Sequence, residues 1–201
     1  VKFAQIPAGT EPYFVLLKEN KIKLPSFFKD RRTDEDYIYD LIDGWLMEDI
    51  ICDAWLRERL MAIDKTITVV HMGTNRDRTL QKYNPRNITT EPDFLYKTTK
   101  GKEIKIELQM ARKPRKEGYD MKDTKVKRAL ENGHIFLWVI VPNDKFFVVE
   151  PNKDLQGVVP MTNPLWGGKL VYRLALPKCK QLGMYDMSSE IPKVLYSTFC
   201  L

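Results

Sequence analysis

The sequence predicts a mixed α/β domain, on three observations. A long amphipathic helical stretch, YIYDLIDGWLMEDIICDAWLRERLMAID, occupies residues 37–64. Three strand-like segments follow it. A second helical stretch then leads into an almost wholly apolar run, HIFLWVIVP. At 201 residues the chain suits one domain, 1–201, with a full hydrophobic core.

Helix entry is signalled by Thr33 or Asp34 as a cap, with acidic residues in the first turn where the helix dipole favours them. At about 100° per residue, Ile38, Leu41, Ile42, Trp45, Cys52, Leu56, Leu60 and Ile63 share one stripe. Asp49 falls inside that stripe, and Gly44 can kink or divide the helix. TITVVHM is β-branched enough for a strand, and NRDRTLQKYNPRN reads as a polar loop. EPDFLYK and EIKIELQMA form a hairpin across TTKGK, where Gly101 permits the tight turn. DMKDTKVKRALENG reads as a helix stopped by Asn132-Gly133. HIFLWVIVP is a strand buried on both faces, and KFFVVEP and KLVYRLAL add further C-terminal strands.

Composition narrows the function classes. The chain is 43% hydrophobic and 30% charged, as globular proteins are. No run approaches the roughly 18 apolar residues of a membrane span, and VKFAQIPAGTEPYF lacks a signal-peptide core. A cytoplasmic location without membrane partners is therefore expected. Cys52, Cys179 and Cys200 are widely spaced with no C-x-x-C pair, which argues for free thiols rather than a zinc site or disulfide framework. The net charge of +6 is unevenly spread: residues 1–64 hold 9 Lys+Arg against 13 Asp+Glu, and residues 65–201 hold 24 against 14. A basic surface beside a carboxylate cluster suits a polyanion.

Alternation in EIKIELQMA puts Glu103, Lys105, Glu107 and Gln109 on one face and Ile104, Ile106, Leu108 and Met110 on the other. Pro92 has no N–H for a ladder and belongs at the start of its strand, which leaves Asp93 as the first residue pointing into a site. Two motifs compete, Asp93 with Glu103-Ile104-Lys105 and Asp93 with Glu107-Leu108-Gln109. A turn centred on Lys100 sets Asp93 across from Glu107, with Cβ atoms roughly 5 Å apart. Glu103 lies four residues further along, about 13 Å at some 3.3 Å per residue, too far to share a metal with Asp93. The second motif is preferred, and it depends on the turn register.

Opposed carboxylates need a compensating cation. Hard oxygen donors of this kind suit Mg²⁺, held by Asp93, Glu107 and the Leu108 carbonyl. Gln109 can orient a water but carries no positive charge. Asp49, an acid inside an apolar stripe, costs several kcal/mol unless paired or metal-bound, and Glu48 sits at the stripe's edge. ARKPRKEGYDMKDTKVKR carries eight basic residues against three acidic ones. Arg112, Lys113, Arg115 and Lys116 read as a phosphate-binding loop, and Lys125, Lys127 and Arg128 as a helix presenting charge to a DNA backbone. Arg76 and Arg78 are weaker base-reading candidates. No H-N-H, H-E-x-x-H, G-x-S-x-G or phosphate-binding glycine loop is present.

TEPDFLY…IKIELQ resembles the core of the PD-(D/E)xK nuclease superfamily in its E-x-Q variant, and the resemblance spans roughly residues 36–141. It implies an αβββαβ restriction-endonuclease-like core, with a central mixed sheet flanked by helices and followed by extra strands. It implies Mg²⁺-dependent hydrolysis of phosphodiester bonds in double-stranded DNA by Asp93, Glu107 and Gln109, with an additional carboxylate from the first helix for which Asp49 is the first candidate and Glu48 the second. Lysine is usual where Gln109 stands, and the departure leaves a catalytically inactive DNA-binding relative as an alternative. A compact chain of this size is most similar to type II restriction endonucleases, which act as homodimers. Homing and transposase-associated nucleases of the same superfamily are the nearest rivals.

Overall fold

The computed structural model describes residues 34–73 and 91–200. The first helical stretch is continuous from Asp34 to Ile63 but not uniform. Helix α1 (Asp34–Glu48) passes into a π-helical segment (Asp49–Leu56) and then into α2 (Arg57–Ile63). Gly44 lies inside α1, and the irregularity comes after it. Because π-helical residues each turn through less than 100°, the apolar stripe drifts around the helix. The buried face is therefore built from Ile42, Trp45, Met47, Ile51, Cys52, Trp55, Leu56 and Leu60. Ile63, expected in the stripe, is 40% exposed.

Strands β1 (Thr68–His71), β2 (Phe94–Lys97) and β3 (Glu103–Ala111) follow. They form an antiparallel meander in which Lys97 pairs Glu103 and Phe94 pairs Ile106. This is the register that a turn centred on Lys100 requires. The turn is closed by Thr98 N–H to Lys102 O (2.9 Å), with Gly101 at φ 78° in the left-handed region that glycine enters without strain.

The chain then departs from expectation. GYDMK forms β4 (Gly118–Lys122), so that Asp120, Met121 and Lys122 belong to a strand instead of the following helix. Helix α3 (Asp123–Asn132) stops at Gly133, whose N–H reaches Ala129 O at φ 69°. Strand β5 (Ile135–Ile140) lies parallel to β3, and β4 with α3 supplies the crossover that parallel neighbours require. Beyond it come β6 (Lys145–Val149), a single helical turn α4 (Pro151–Asp154), β7 (Met161–Asn163), β8 (Lys169–Ala175), α5 (Leu176–Gln181) and β9 (Tyr185–Asp186).

The result is a mixed six-stranded sheet ordered β1-β2-β3-β5-β6-β9, with a separate antiparallel sheet ordered β4-β8-β7. Two cores sandwich the larger sheet. Phe94, Tyr96, Ile104, Ile106, Leu108, Leu137 and Val139 pack with Met47, Ile51, Trp55 and Leu60 of the long helix. On the other face, Phe136, Trp138, Ile140, Phe147 and Val149 meet Tyr119 and Met121 of β4, Val126 and Ala129 of α3, and Leu174 of β8. Strand β5 thus buries both its faces, as its unbroken apolar run requires. Trp55 Nε1 and Arg59 Nη2 both donate to Met187 O, at 2.8 and 2.9 Å, and tie the C-terminal segment to the long helix. Cys52 and Cys179 are buried and Cys200 exposed, all three as free thiols.

His134, only 5% exposed, gives this packing a pH dependence. Burial pushes its ring down to about 4, and Lys105, Arg128 and Lys125 add repulsion. An unfolded histidine titrates near 6.5. Between those two values the unfolded chain holds more protons than the folded one, so acid favours unfolding. The stability is whole above pH 6.5 and falls by up to about 3 kcal/mol as pH drops through the folded value. Urea unfolding of wild type and His134→Asn at pH 7 and pH 4.5 will show a smaller acid loss for the variant. Equal losses in the two proteins would refute this origin.

Candidate active site

The site is built on the hairpin. Alternation sends Phe94 and Tyr96 into the helix-side core, so Asp93 points to the opposite face. Ile104, Ile106 and Leu108 of β3 fill the same helix-side core, which leaves Glu103, Lys105, Glu107 and Gln109 on the face of Asp93. Continuing the β2–β3 register by one residue sets Asp93 across from Glu107. The carboxylate of Asp93 accepts the Leu108 N–H at 2.9 Å, fixing its side chain against β3.

Glu107 is 3% exposed. Burial pushes its carboxyl up to about 8, the neighbouring Asp93 carboxylate pushes in the same direction, and Lys125 opposes both. Gln109 Nε2 donates to Glu107 Oε1 (2.9 Å) and to the Leu108 carbonyl (3.0 Å). From α3, Lys125 Nζ donates to Glu107 Oε1 and stands 3.8 Å from Asp93 Oδ1. Burial alone would lower Lys125, yet Asp93, Glu107 and Glu48 hold it up at about 12. The ammonium thus stands between the two acidic side chains, of which only Glu107 is fully buried.

The sequence groups Lys125 with a helix presenting charge to DNA, and the structure places its side chain against Glu107 and Asp93. Its side chain turns inward because α3 packs Val126 and Ala129 on the sheet, and position 125 is one turn before Ala129 on that stripe.

Asp49 itself is exposed. The π-helical drift carries it out of the apolar stripe and beside Asp53 and His71, with one donor atom from each of the three within 4.8 Å of the others. His71 Nε2 lies 2.7 Å from Asp53 Oδ2. Because His71 pairs with Phe94 and its ring packs on that phenyl at 4.7 Å between centroids, this group lies on the helix side of the sheet, opposite Asp93. Sequence reasoning missed the Asp53–His71 pair, since nothing local joins positions 18 residues apart. Glu48, the second choice, is near enough to raise both Lys125 and Cys52 electrostatically.

The rejected motif is set apart. Glu103 pairs with Lys97 in the sheet and lies 3.6 Å from Lys105, at the turn end of the hairpin. Of the expected DNA-contacting residues, Lys113, Arg115 and Lys116 are exposed on the segment between β3 and β4. Arg112 bonds Asp43 of α1, Lys127 pairs with Asp123 at 2.9 Å, and Arg128 pairs with Glu131 at 3.0 Å. Arg76 and Arg78 lie outside the described residues. On β4, Asp120 takes Arg173 Nε and Nη2 at 2.6 and 2.8 Å and Asn163 Nδ2 at 2.7 Å. It thereby joins all three strands of the smaller sheet.

Asp93, Glu107 and the Leu108 carbonyl are hard oxygen donors crowded onto one edge, with a cation already drawn between the acids. That donor set fits Mg²⁺ better than a softer metal. No protein-family model and no curated protein sequence matches the chain.

Proposed function

We propose that the protein is a Mg²⁺-dependent endonuclease of double-stranded DNA, built on a PD-(D/E)xK core of the E-x-Q form and most like a type II restriction enzyme. The observation that carries this reading is the pairing of Asp93 and Glu107 on one face of a hairpin, joined through Lys125. Two further features support it. A helix, three strands and, after β4, a crossover helix with a strand parallel to β3 occur in an order compatible with that plan, and exposed Lys113, Arg115 and Lys116 follow β3, the strand that carries Glu107 and Gln109.

Asp93, Glu107 and the Leu108 carbonyl would hold the metal, which when bound supplies Lewis-acid polarisation of a phosphate oxygen. Gln109, anchored on Glu107 and the Leu108 carbonyl, orients the attacking water by hydrogen bonding. The water oxygen bonds to phosphorus, one P–O ester bond breaks, the water gives up a proton to solvent, and the departing oxygen takes one up. The exposed basic segment neutralises phosphates flanking the cut and makes binding sensitive to salt. A homodimer places two such sites on the two strands of a palindrome. Among the described residues no helix is long and apolar enough to cross a membrane.

A non-catalytic DNA-binding relative is the second reading, favoured by Gln109 in the usual lysine position. Homing and transposase-associated nucleases differ from the first reading in biological role rather than in chemistry. Incubating supercoiled plasmid with protein and Mg²⁺ or Mn²⁺ separates them. Nicked and linear products are expected, and discrete fragments favour a restriction role. DNA binding with no cleavage in any divalent metal sinks the enzyme reading and leaves the binding module.

A further inference from the structure

The β7–β8 hairpin carries a concentration of exposed apolar side chains that neither of the two cores uses. Among the described residues seven large apolar side chains are exposed, and five of them, Val159, Met161, Leu165, Trp166 and Leu170, fall within twelve positions. Single exposed apolar residues are ordinary, whereas a cluster marks a contact surface. Val159 and Leu165 are 78% and 79% exposed, so they add little to the protein's own packing. The same stretch is uncharged. Residues 155–168 contain no Asp, Glu, Lys or Arg, where fourteen positions at the chain's 30% would hold about four. The tip of the hairpin is also held in place: Asn163 Oδ1 accepts the Leu165 N–H at 2.8 Å, Asn163 O accepts the Gly168 N–H at 3.0 Å, and Asn163 Nδ2 donates to Asp120.

We propose that this uncharged edge and tip is the surface on which a second copy of the chain docks, the two copies being related by a twofold axis. Among the described residues β7 is the outer strand of the smaller sheet. Met161 pairs with Val171 and Thr162 with Leu170, so Met161 and Leu170 lie on opposite faces and apolar surface wraps the edge. Pro160 and Pro164 bracket β7 and have no N–H to offer, so the edge resists strand addition and side chains make the contact. Charge selects the occupant. A polyanion would meet no cation between residues 155 and 168, whereas two copies of net charge +6 can approach here without setting like charges against each other. A twofold contact needs a patch complementary to itself, and an uncharged apolar patch is. The five residues expose on the order of 500 Å², so two copies cover about 1,000 Å² before any polar rim is counted, the area at which a specific interface becomes tenable. A tip already held by hydrogen bonds loses little freedom on docking. This surface stands whether or not the protein cuts DNA, and it gives the homodimer invoked above its contact.

Sedimentation velocity on the full chain, in a dilution series up to about 100 µM, reads the association state, and circular dichroism confirms that each variant is folded. Wild type is expected to reach the mass of two chains at micromolar concentrations. Leu165→Lys is expected to weaken association at least about 100-fold, because a twofold axis brings the change into the contact twice. Leu130→Lys, which puts the same charge on an exposed apolar position of α3, is expected to leave the dimer intact. Wild type with the mass of one chain throughout overturns the proposal. So does a Leu165→Lys protein that associates as wild type does, or a Leu130→Lys protein that dissociates as fully. A monomeric wild type whose Leu165→Lys variant loses affinity for plasmid DNA or for phosphatidylcholine vesicles gives the patch to that partner and likewise overturns it. Should Leu165→Lys fail to fold, Val159→Lys takes its place with the same expected results. None of these readouts uses cleavage, so failure of the contact and failure of the nuclease reading are seen separately.

Discussion

Glu107→Gln is expected to slow Mg²⁺-dependent plasmid cleavage by at least about 10³-fold, some 4 kcal/mol in transition-state stabilisation. It is also expected to leave the protein folded and, above pH 8, more stable than wild type. The two effects have one cause. Glu107 is buried beside Asp93, and its carboxyl is pushed up to about 8 by burial first and by Asp93 second. A glutamate in an unfolded chain titrates near 4.3. Between those values the folded state holds the extra proton, so stability is greatest in acid and declines as pH rises through the folded value. Glutamine keeps the shape, never ionises, and escapes that decline. On the proposed nuclease reading it also removes the charge of one oxygen that would hold the metal, and with it the cleavage. Plasmid assays together with urea unfolding at pH 6 and pH 9 test both halves. A variant that cuts normally dismisses Glu107 from the site, and one that is less stable than wild type at pH 9 dismisses the stated origin of its raised pKa.

The second large effect lies away from the acids. Gly118 opens β4 at φ 147° and pairs with Ala175 of β8. A Cβ there would collide with the Leu174 carbonyl oxygen and stand 2.9 Å from Ala175 Cα. Both obstacles are backbone, and neither strand can move aside without losing the ladder and the nearby Leu176 N–H to Glu117 O bond at 3.1 Å. Gly118→Ala is therefore expected to cost on the order of 3–5 kcal/mol, the range of severe backbone and packing lesions. Because β4 continues into α3, the Lys125 position loosens with it, and cleavage should fall together with the denaturation midpoint. An unfolding free energy within about 0.5 kcal/mol of wild type, the scale of innocuous surface changes, would show that β4 and β8 do not meet as described.

How much of the site was legible follows from how local each part is. The Asp93–Glu107 juxtaposition needs a tight turn with Gly101 at its left-handed position and two alternating strands, all within 15 residues of chain. Both facts are written in the residues, and the observed pairing of Phe94 with Ile106 has the register that they specify. The same turn favours Glu107 over Glu103. The exposure of Asp49 was not legible, because a 100° projection assumes a uniform α-helix, and the segment from Asp49 to Leu56 is π-helical, with Ile51, Cys52, Trp55 and Leu56 buried. Residues Gly118–Lys122 show no long alternating run, and they become a strand by pairing with β8, some fifty residues later.

The sequence by itself determined the mixed α/β class, the two-sided burial of Ile135–Ile140, the end of α3 at Gly133 and the face shared by Asp93, Glu107 and Gln109. Each follows from alternation, apolar periodicity or glycine geometry within a short stretch. Only the tertiary structure decided that Lys125 turns inward to the acids, that Asp49 and Asp53 gather at His71 on the opposite face, and that a second sheet closes over the core. Those outcomes depend on which surfaces must be buried together. That is a condition on the whole chain, and no window of neighbouring residues contains it.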